Sequence, residues 1–180
     1  MITSERVRLR AVEREDLPRF VDWFNDPEVT AGLRRITPMS SWAETQWFDK
    51  LGDRPEEERP LAVDARLPAG GWIHIGSVGL HGIQAVDRCA EFGISIGNKE
   101  YWNRGYGSAA TLLTLKHAFE ALNLNRISLV VLETNPRAKS AYEKCGFVHE
   151  GILRQAIYRD GRYVDLLLMS VLRSEWDARK

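Results

Sequence analysis

Apolar residues recur along this chain with two spacings, and each spacing predicts one kind of element. Residues 7–11 alternate apolar and basic side chains, which is typical of a half-buried strand. Residues 17–24 place apolar side chains at helical spacing behind a first turn rich in acids. Asp26-Pro27 ends that helix, and Ser41–Glu44 reads as a capping box that opens a second one.

The rest of the chain predicts six further strands and two long helices. One helix extends from about Gly107 to Leu122, and another begins at Asn135-Pro136, a favoured N-cap and first position, and ends at Gly146. The predicted strands are Leu61–Arg66, Trp72–Leu80, Glu91–Ile96, Ile127–Glu133, Ile152–Arg159 and Arg162–Val171. Asp160-Gly161 joins the last two as a hairpin turn. This order predicts one mixed α/β (α+β) domain over residues 1–180, with helices packed on a sheet.

Composition narrows the functional class. The chain of 180 residues carries 25 basic and 25 acidic side chains, so net charge gives no reason to expect a nucleic-acid partner. No apolar run approaches the roughly 20 residues that span a bilayer, and the first residues lack a signal-peptide core, so we expect no membrane partner. Two cysteines, Cys89 and Cys145, favour a reducing cytoplasm, and the four histidines show no metal-ligand spacing.

The stretch Tyr101–Ser108, YWNRGYGS, lies between a predicted strand and a predicted helix. The unpaired N–H groups of a helix N-terminus suit phosphate, and two glycines allow its close approach. A Walker lysine and the third glycine of a dinucleotide motif are both missing, which weakens a reading as an ATP or NAD site. On its own the stretch is better explained as a plain strand-to-helix turn.

The motif NRGYGSAA, followed by NPRAKSAYEKCGF, resembles the GNAT superfamily of N-acyltransferases. The likeness extends over roughly residues 7–172 and is strongest to ribosomal-protein N-terminal and spermidine acetyltransferases. It implies a GNAT-like domain with a splayed mixed sheet of about seven strands and about four helices. Trp102 stands where the family usually has Gln or Arg, a departure of small consequence because backbone amides make most of the phosphate contacts.

The resemblance implies which residues bind acetyl-CoA, with no metal. The pyrophosphate would lie on the turn, the pantetheine arm would pair with the backbone of the third predicted strand, and one further helix would contribute its cap. The implied residues are Ile94, Ser95, Ile96, Asn103, Arg104, Gly105, Tyr106, Gly107, Ser108, Ala109, Asn135 and Ala138. Asn135 as a helix cap and nothing more explains that residue equally well.

The implied reaction is direct attack of a primary amine on the thioester in a ternary complex. Tyr142 would be the general acid, since a phenol can protonate a departing thiolate; the alternative is a core aromatic. Glu91 is the first candidate base and Glu133 the second, with a solvated carboxylate as the alternative for each. His81, His149 and Cys145 are interpreted as surface or packing residues.

Acceptor identity stays open. Arg34 and Arg35 would repel a polycation, which argues against spermidine, and residues 42–60 are expected to line the acceptor side. A protein N-terminus, an amino sugar, an amino acid and a drug amine all remain candidates. A non-catalytic acyl-CoA sensor of the same fold is the alternative function, and the resemblance also implies that a homodimer can form.

Overall fold

The computed structural model describes residues 1–34 and 37–179, and this part of the chain contains eight strands and six α-helices. The strands are β1 (Ile2–Thr3), β2 (Val7–Ala11), β3 (Leu61–Arg66), β4 (Trp72–Gln84), β5 (Cys89–Ile96), β6 (Arg126–Leu132), β7 (Val148–Arg159) and β8 (Arg162–Leu172). The helices are α1 (Leu17–Asn25), α2 (Pro27–Thr30), α3 (Ser41–Asp49), α4 (Tyr106–Lys116), α5 (Pro136–Cys145) and α6 (Arg173–Asp177). A π-helical turn, His117–Ala121, extends α4.

All eight strands belong to one sheet in the order β1-β2-β3-β4-β5-β6-β8-β7. Every neighbouring pair is antiparallel except β5 and β6, which are parallel. These two strands pair only from Cys89 to Glu91 of β5, although both continue well beyond. The sheet therefore opens between β5 and β6, and the predicted mixed and splayed GNAT-like sheet is confirmed.

The predicted elements are confirmed within a few residues at their ends, with some additions. The structure adds the two-residue β1 and the short helices α2 and α6, which are too short to leave a periodic pattern. Ser40, rather than Ser41, caps α3, because its hydroxyl accepts from the Ala43 amide at 3.0 Å. Gly146 ends α5 in the left-handed conformation with φ of 100°, as predicted.

Helices cover both faces of the sheet. On one face α4 packs its buried Leu115 against a large core that includes Leu9 of β2 and Ile127 of β6. On the other face α1 and α3 bury a smaller cluster around Phe20 and Ala62. We call the face covered by α4 the α4 face and the face covered by α1 and α3 the α1 face. The opening between β5 and β6 lies between these two layers of helices.

The arginines of β2 lie on the α1 face, where the structure covers them in part. Arg8 and Arg10 both bind the buried Asp64, and Arg10 also makes two hydrogen bonds with the buried Asp16 at the start of α1. Burial opposes ionisation of Asp16, but the hydrogen bonds from Arg10 and from the Glu13 amide outweigh it and lower its pKa. This charged network anchors α1 to the sheet.

Candidate active site

The glycine turn ends at an α-helix whose first amides are free to bind. Gly105 has φ of 80°, a left-handed conformation that favours glycine, and it is the N-cap of α4. The first hydrogen bond of the helix joins the Ala109 amide to the Gly105 carbonyl at 2.9 Å. The four preceding amides, those of residues 105–108, therefore have no intrahelical acceptor. The Ala109 amide already has an acceptor within the helix, and a contact of Ala109 with the cosubstrate stays a prediction.

Arg6, which the sequence analysis missed, supports this turn from the N-terminal part of the chain. Its Nη2 donates to the Arg104 carbonyl at 2.7 Å, and its guanidinium lies 4.7 Å from the centre of the Tyr106 ring. The side chains of Arg104 and Tyr106 do not line the neighbouring cleft in the described structure. Arg6 thus stabilises the turn through these two contacts and adds positive charge near the free amides.

A cleft of about 580 Å³ occupies the opening between β5 and β6. Ile94, Ser95 and Ile96 line it where β5 has lost its pairing with β6, and Asn103, Gly105, Gly107 and Ser108 line it from the turn. The Trp102 indole N–H donates to the Ile96 carbonyl at 2.6 Å. Trp102 therefore ties the end of β5 to the glycine turn and occupies one backbone acceptor of the predicted pantetheine edge.

Helix α5 forms the opposite wall of the cleft. The Asn135 side chain accepts from the Ala138 amide at 3.1 Å, which confirms its role as an N-cap. Both residues line the cleft, together with Arg137, whose guanidinium lies 4.2 Å from the centre of the Trp102 ring, and Lys144. Two cations thus face the cleft from α5, and the free amides of α4 lie on its other side.

Tyr142 projects from α5 into the cleft. Its ring packs edge-on against Phe92 of β5 and against Phe147, with centroid distances of 6.3 and 5.7 Å. Burial raises the pKa of the Tyr142 phenol to about 12. The phenol therefore keeps its proton throughout the physiological range and can act as a donor, but not as a base.

The α1 face of the cleft contains Glu91 at the last position where β5 pairs with β6. Its Oε1 accepts from Arg34 Nη2 at 3.0 Å. His81 pairs with Glu91 across β4 and β5 and also lines the cleft, with its ring close to Gly79 and Gly93. A cation, a carboxylate and an imidazole therefore meet where the sheet opens. Arg35 lies outside the described residues.

Other candidates lie away from this cleft. Glu133 does not line it, and its carboxylate accepts from the Asp165 amide at 3.0 Å, so its prediction as the alternative base is not supported. Residues 42–60 do not line it either, because α3 packs on α1 through Trp47 and Phe48. Cys145 is buried, and its thiol donates to the Ser108 carbonyl.

Within residues 1–34 and 37–179, no group of three or more His, Cys, Asp or Glu side chains could hold a metal ion. None of the helices in the same ranges is long and apolar enough to cross a membrane.

The arrangement of a splayed sheet, a glycine turn and a capped helix matches a known family over most of the chain. Residues 6–148 match the model of the acetyltransferase (GNAT) domain. This chain belongs to the GNAT acetyltransferase family. The predicted class of enzyme, an acetyl-CoA-dependent N-acetyltransferase, is confirmed by this match and by the relatives.

Two curated relatives of this GNAT chain cover nearly all of it. It is 36% identical over 176 residues to a spermidine N(1)-acetyltransferase of Vibrio cholerae, with 96% of each chain covered. It is 28% identical over 185 residues to the putative ribosomal N-acetyltransferase YdaF of Bacillus subtilis, with 98% and 97% covered. A crystal structure of the spermidine N-acetyltransferase of Vibrio cholerae in complex with CoA and spermine superposes with a TM-score of 0.84 at 31% identity, covering 96% of this chain and 99% of that one.

Proposed function

We propose that this protein transfers an acetyl group from acetyl-CoA to a primary amine by direct attack within a ternary complex. The observation that carries the proposal is the meeting of three features in one cleft: the free amides of residues 105–108, the unpaired edge of β5 and the Tyr142 phenol. Amides suit a pyrophosphate, an open edge suits an amide-bearing arm, and a phenol suits a departing thiolate.

The residues that would hold acetyl-CoA are distributed over both walls of the cleft. The amides of residues 105–108 would hold the pyrophosphate, while Arg137 and Lys144 supply countercharge from α5. Ile94, Ser95 and the remaining backbone groups of Ile96 would pair with the arm. Asn103 lies in the turn with φ of 58° and lines the cleft, so it would contact the cosubstrate there. Asn135 and Ala138 would contact the cosubstrate from the cap of α5.

The chemistry we assign to Tyr142 is proton donation. Attack of a neutral amine on the thioester carbon ends with a carbon–sulfur bond broken and the electron pair on sulfur. Tyr142 donates its phenolic proton to that sulfur, and solvent restores the proton afterwards. The raised pKa of Tyr142 keeps the donor loaded at neutral pH.

The proton of the amine needs an acceptor on the α1 face. Glu91 is the carboxylate that lines the cleft where the two strands separate. Arg34 occupies one of its oxygens, so Glu91 acts as a base once an acceptor or water has displaced the guanidinium. His81 lies opposite Glu91 on the neighbouring strand and also lines the cleft, so it is the alternative base.

Spermidine, which the name of the Vibrio cholerae relative gives as its substrate, fits this cleft poorly. Several ammonium groups require several free carboxylates. In the described part of the chain the acids that line the cleft are Glu28 and Glu91, and each is already paired, Glu28 with Lys99 at 2.9 Å and Glu91 with Arg34 at 3.0 Å. We therefore propose an acceptor that is not a polycation.

Two measurements test the proposed function. Coenzyme A should raise the melting temperature in proportion to the logarithm of its excess over Kd, while ATP and NAD should not. Amine-dependent thiol release should then be followed for the wild type and for Tyr142→Phe with a panel of amines. Stabilisation without any thiol release would favour the acyl-CoA sensor, and no response to coenzyme A would exclude both functions.

A homodimer and a cytoplasmic location stay predictions. Strand β7 forms one edge of the sheet and exposes Ile152 and Leu153, which supports association through this edge. Light scattering at several protein concentrations would measure the assembly.

A further inference from the structure

The ion pair between Arg34 and Glu91 brings two opposite charges to the acceptor end of the cleft. Arg34 Nη2 lies 3.0 Å from Glu91 Oε1, and their side chains are 58% and 46% exposed. Both residues line the cleft, and 57 positions separate them in sequence. The pair is thus reachable from the cleft and can be opened by a ligand.

The segment that carries Arg34 is attached to the protein at two places, the start of α5 and the end of β7. A Cβ atom on Gly32 would lie 2.6 Å from Asn135 Nδ2, so this backbone passes directly over the cap of α5. The next carbonyl, that of Leu33, accepts a hydrogen bond from Arg159 of β7. These contacts place the Arg34 guanidinium over the cleft instead of leaving it in a free loop.

The pair as it stands would be a poor site for a simple amine. An ammonium group would meet Glu91 only after removing Arg34, and the guanidinium would then be left without its partner. An exposed ion pair contributes little to stability, so exchanging it for two new pairs is favourable if the acceptor supplies both charges. An acceptor with an ammonium group and a carboxylate satisfies both partners at once.

We infer that the acceptor is a zwitterionic amine of the amino-acid class, and that Arg34 is the residue that selects it; this inference rests on the proposed function. The acceptor carboxylate binds Arg34 as a bidentate partner, and its ammonium group lies against Glu91. Because the two protein groups are 3.0 Å apart, the two charges of the acceptor must lie within a few bonds of each other. Glu91, released from Arg34, then accepts the proton that the amine must lose before attack.

Matched acceptors test this inference. Amine-dependent thiol release is measured with the L-amino acids, their primary carboxamides, the corresponding decarboxylated amines and spermidine, and acetylated products are identified by mass. At least one amino acid should exceed its own carboxamide and its decarboxylated amine in kcat/KM by about tenfold or more, the usual effect of a charge-assisted hydrogen bond.

Variants of Arg34 assign the preference to that side chain. Arg34→Gln should remove the advantage of the carboxylate through a higher acceptor KM and should increase turnover of the amines that lack a carboxylate, because Glu91 is no longer paired. Arg34→Lys should restore part of the preference. Arg14→Gln is the matched control, since Arg14 pairs with Asp49 at the same 58% and 46% exposure outside the cleft and should leave the preference unchanged.

The outcomes separate the inference from the function on which it rests. Thiol release that favours carboxamides, simple amines or spermidine would overturn the amino-acid acceptor while leaving amine acetylation intact. A carboxylate preference that survives Arg34→Gln would overturn the role of Arg34. No thiol release with any member of the panel would overturn the proposed acetyl transfer and this inference together.

Discussion

Replacing Tyr142 by phenylalanine removes the proposed proton donor and little else. The ring packs against Phe92 and Phe147 on the α4 face, and phenylalanine keeps those contacts. We expect kcat to fall by about 100- to 10,000-fold, the range for loss of a general acid, with the Kd of coenzyme A changed by less than about threefold. The free energy of unfolding should change by no more than about 1 kcal/mol.

The raised pKa of Tyr142 adds a pH signature to this effect. Burial raises the pKa to about 12, so only about one phenol in a hundred is ionised at pH 10, where a tyrosine at the reference pKa of about 10 would be half ionised. The active form is the neutral donor, and a raised pKa preserves it at higher pH. The ratio of wild-type to Tyr142→Phe kcat should therefore stay constant from pH 7 to pH 10.

The assay is thiol release at saturating acetyl-CoA with whichever acceptor the panel identifies. Titration of the amine or of its base affects both proteins equally, so their ratio isolates the phenol. A ratio near one at every pH would refute Tyr142 as the acid. A large ratio that falls twofold or more by pH 10 would retain the acid but refute the effect of burial on its pKa.

Three further predictions concern the turn and the buried charges. Arg6→Met should raise the Kd of coenzyme A about tenfold by removing the hydrogen bond to the Arg104 carbonyl, measured by calorimetry, with Arg14→Gln as a control that leaves the Kd unchanged. Gly105→Ala should raise the same Kd about 5- to 30-fold because φ of 80° costs a residue with a Cβ about 1–2 kcal/mol, whereas Gly52→Ala, at an open position without a positive φ, should have no effect. Asp16→Asn should lower the free energy of unfolding in urea by about 3 kcal/mol at pH 7. The pKa of Asp16 is lowered in the folded protein, so the stability that it contributes is present above its unfolded pKa and is lost as pH falls through the folded one. The difference between the two proteins should therefore begin to shrink only as pH falls below the unfolded pKa, about 4 for an aspartate, and a difference that stays constant with pH would contradict the assignment.

Much of the fold follows from local patterns that one sequence displays. Helix caps such as Asn135 and Gly146 depend on a few neighbouring residues, and so does the left-handed turn at Gly105. Alternation and helical spacing predicted the strands and the long helices for the same reason. The ion pairs of the β2 arginines could not be predicted, because periodicity separates the two faces of a strand but does not say that α1 covers the polar one.

The glycine turn and Tyr142 were also visible in the sequence, since each belongs to a short motif with fixed spacing. The long-range contacts around the cleft were not visible in the sequence. Arg6 reaches the Arg104 carbonyl across 98 positions, and Arg34 reaches Glu91 across 57. Such pairs depend on sheet order, on register and on where β5 and β6 separate, and none of these leaves a local pattern. The sequence by itself thus determined the elements, the glycine turn and the place of Tyr142 on its helix, whereas only the tertiary structure decided that the candidate base begins in an ion pair, because long-range contacts are set by packing.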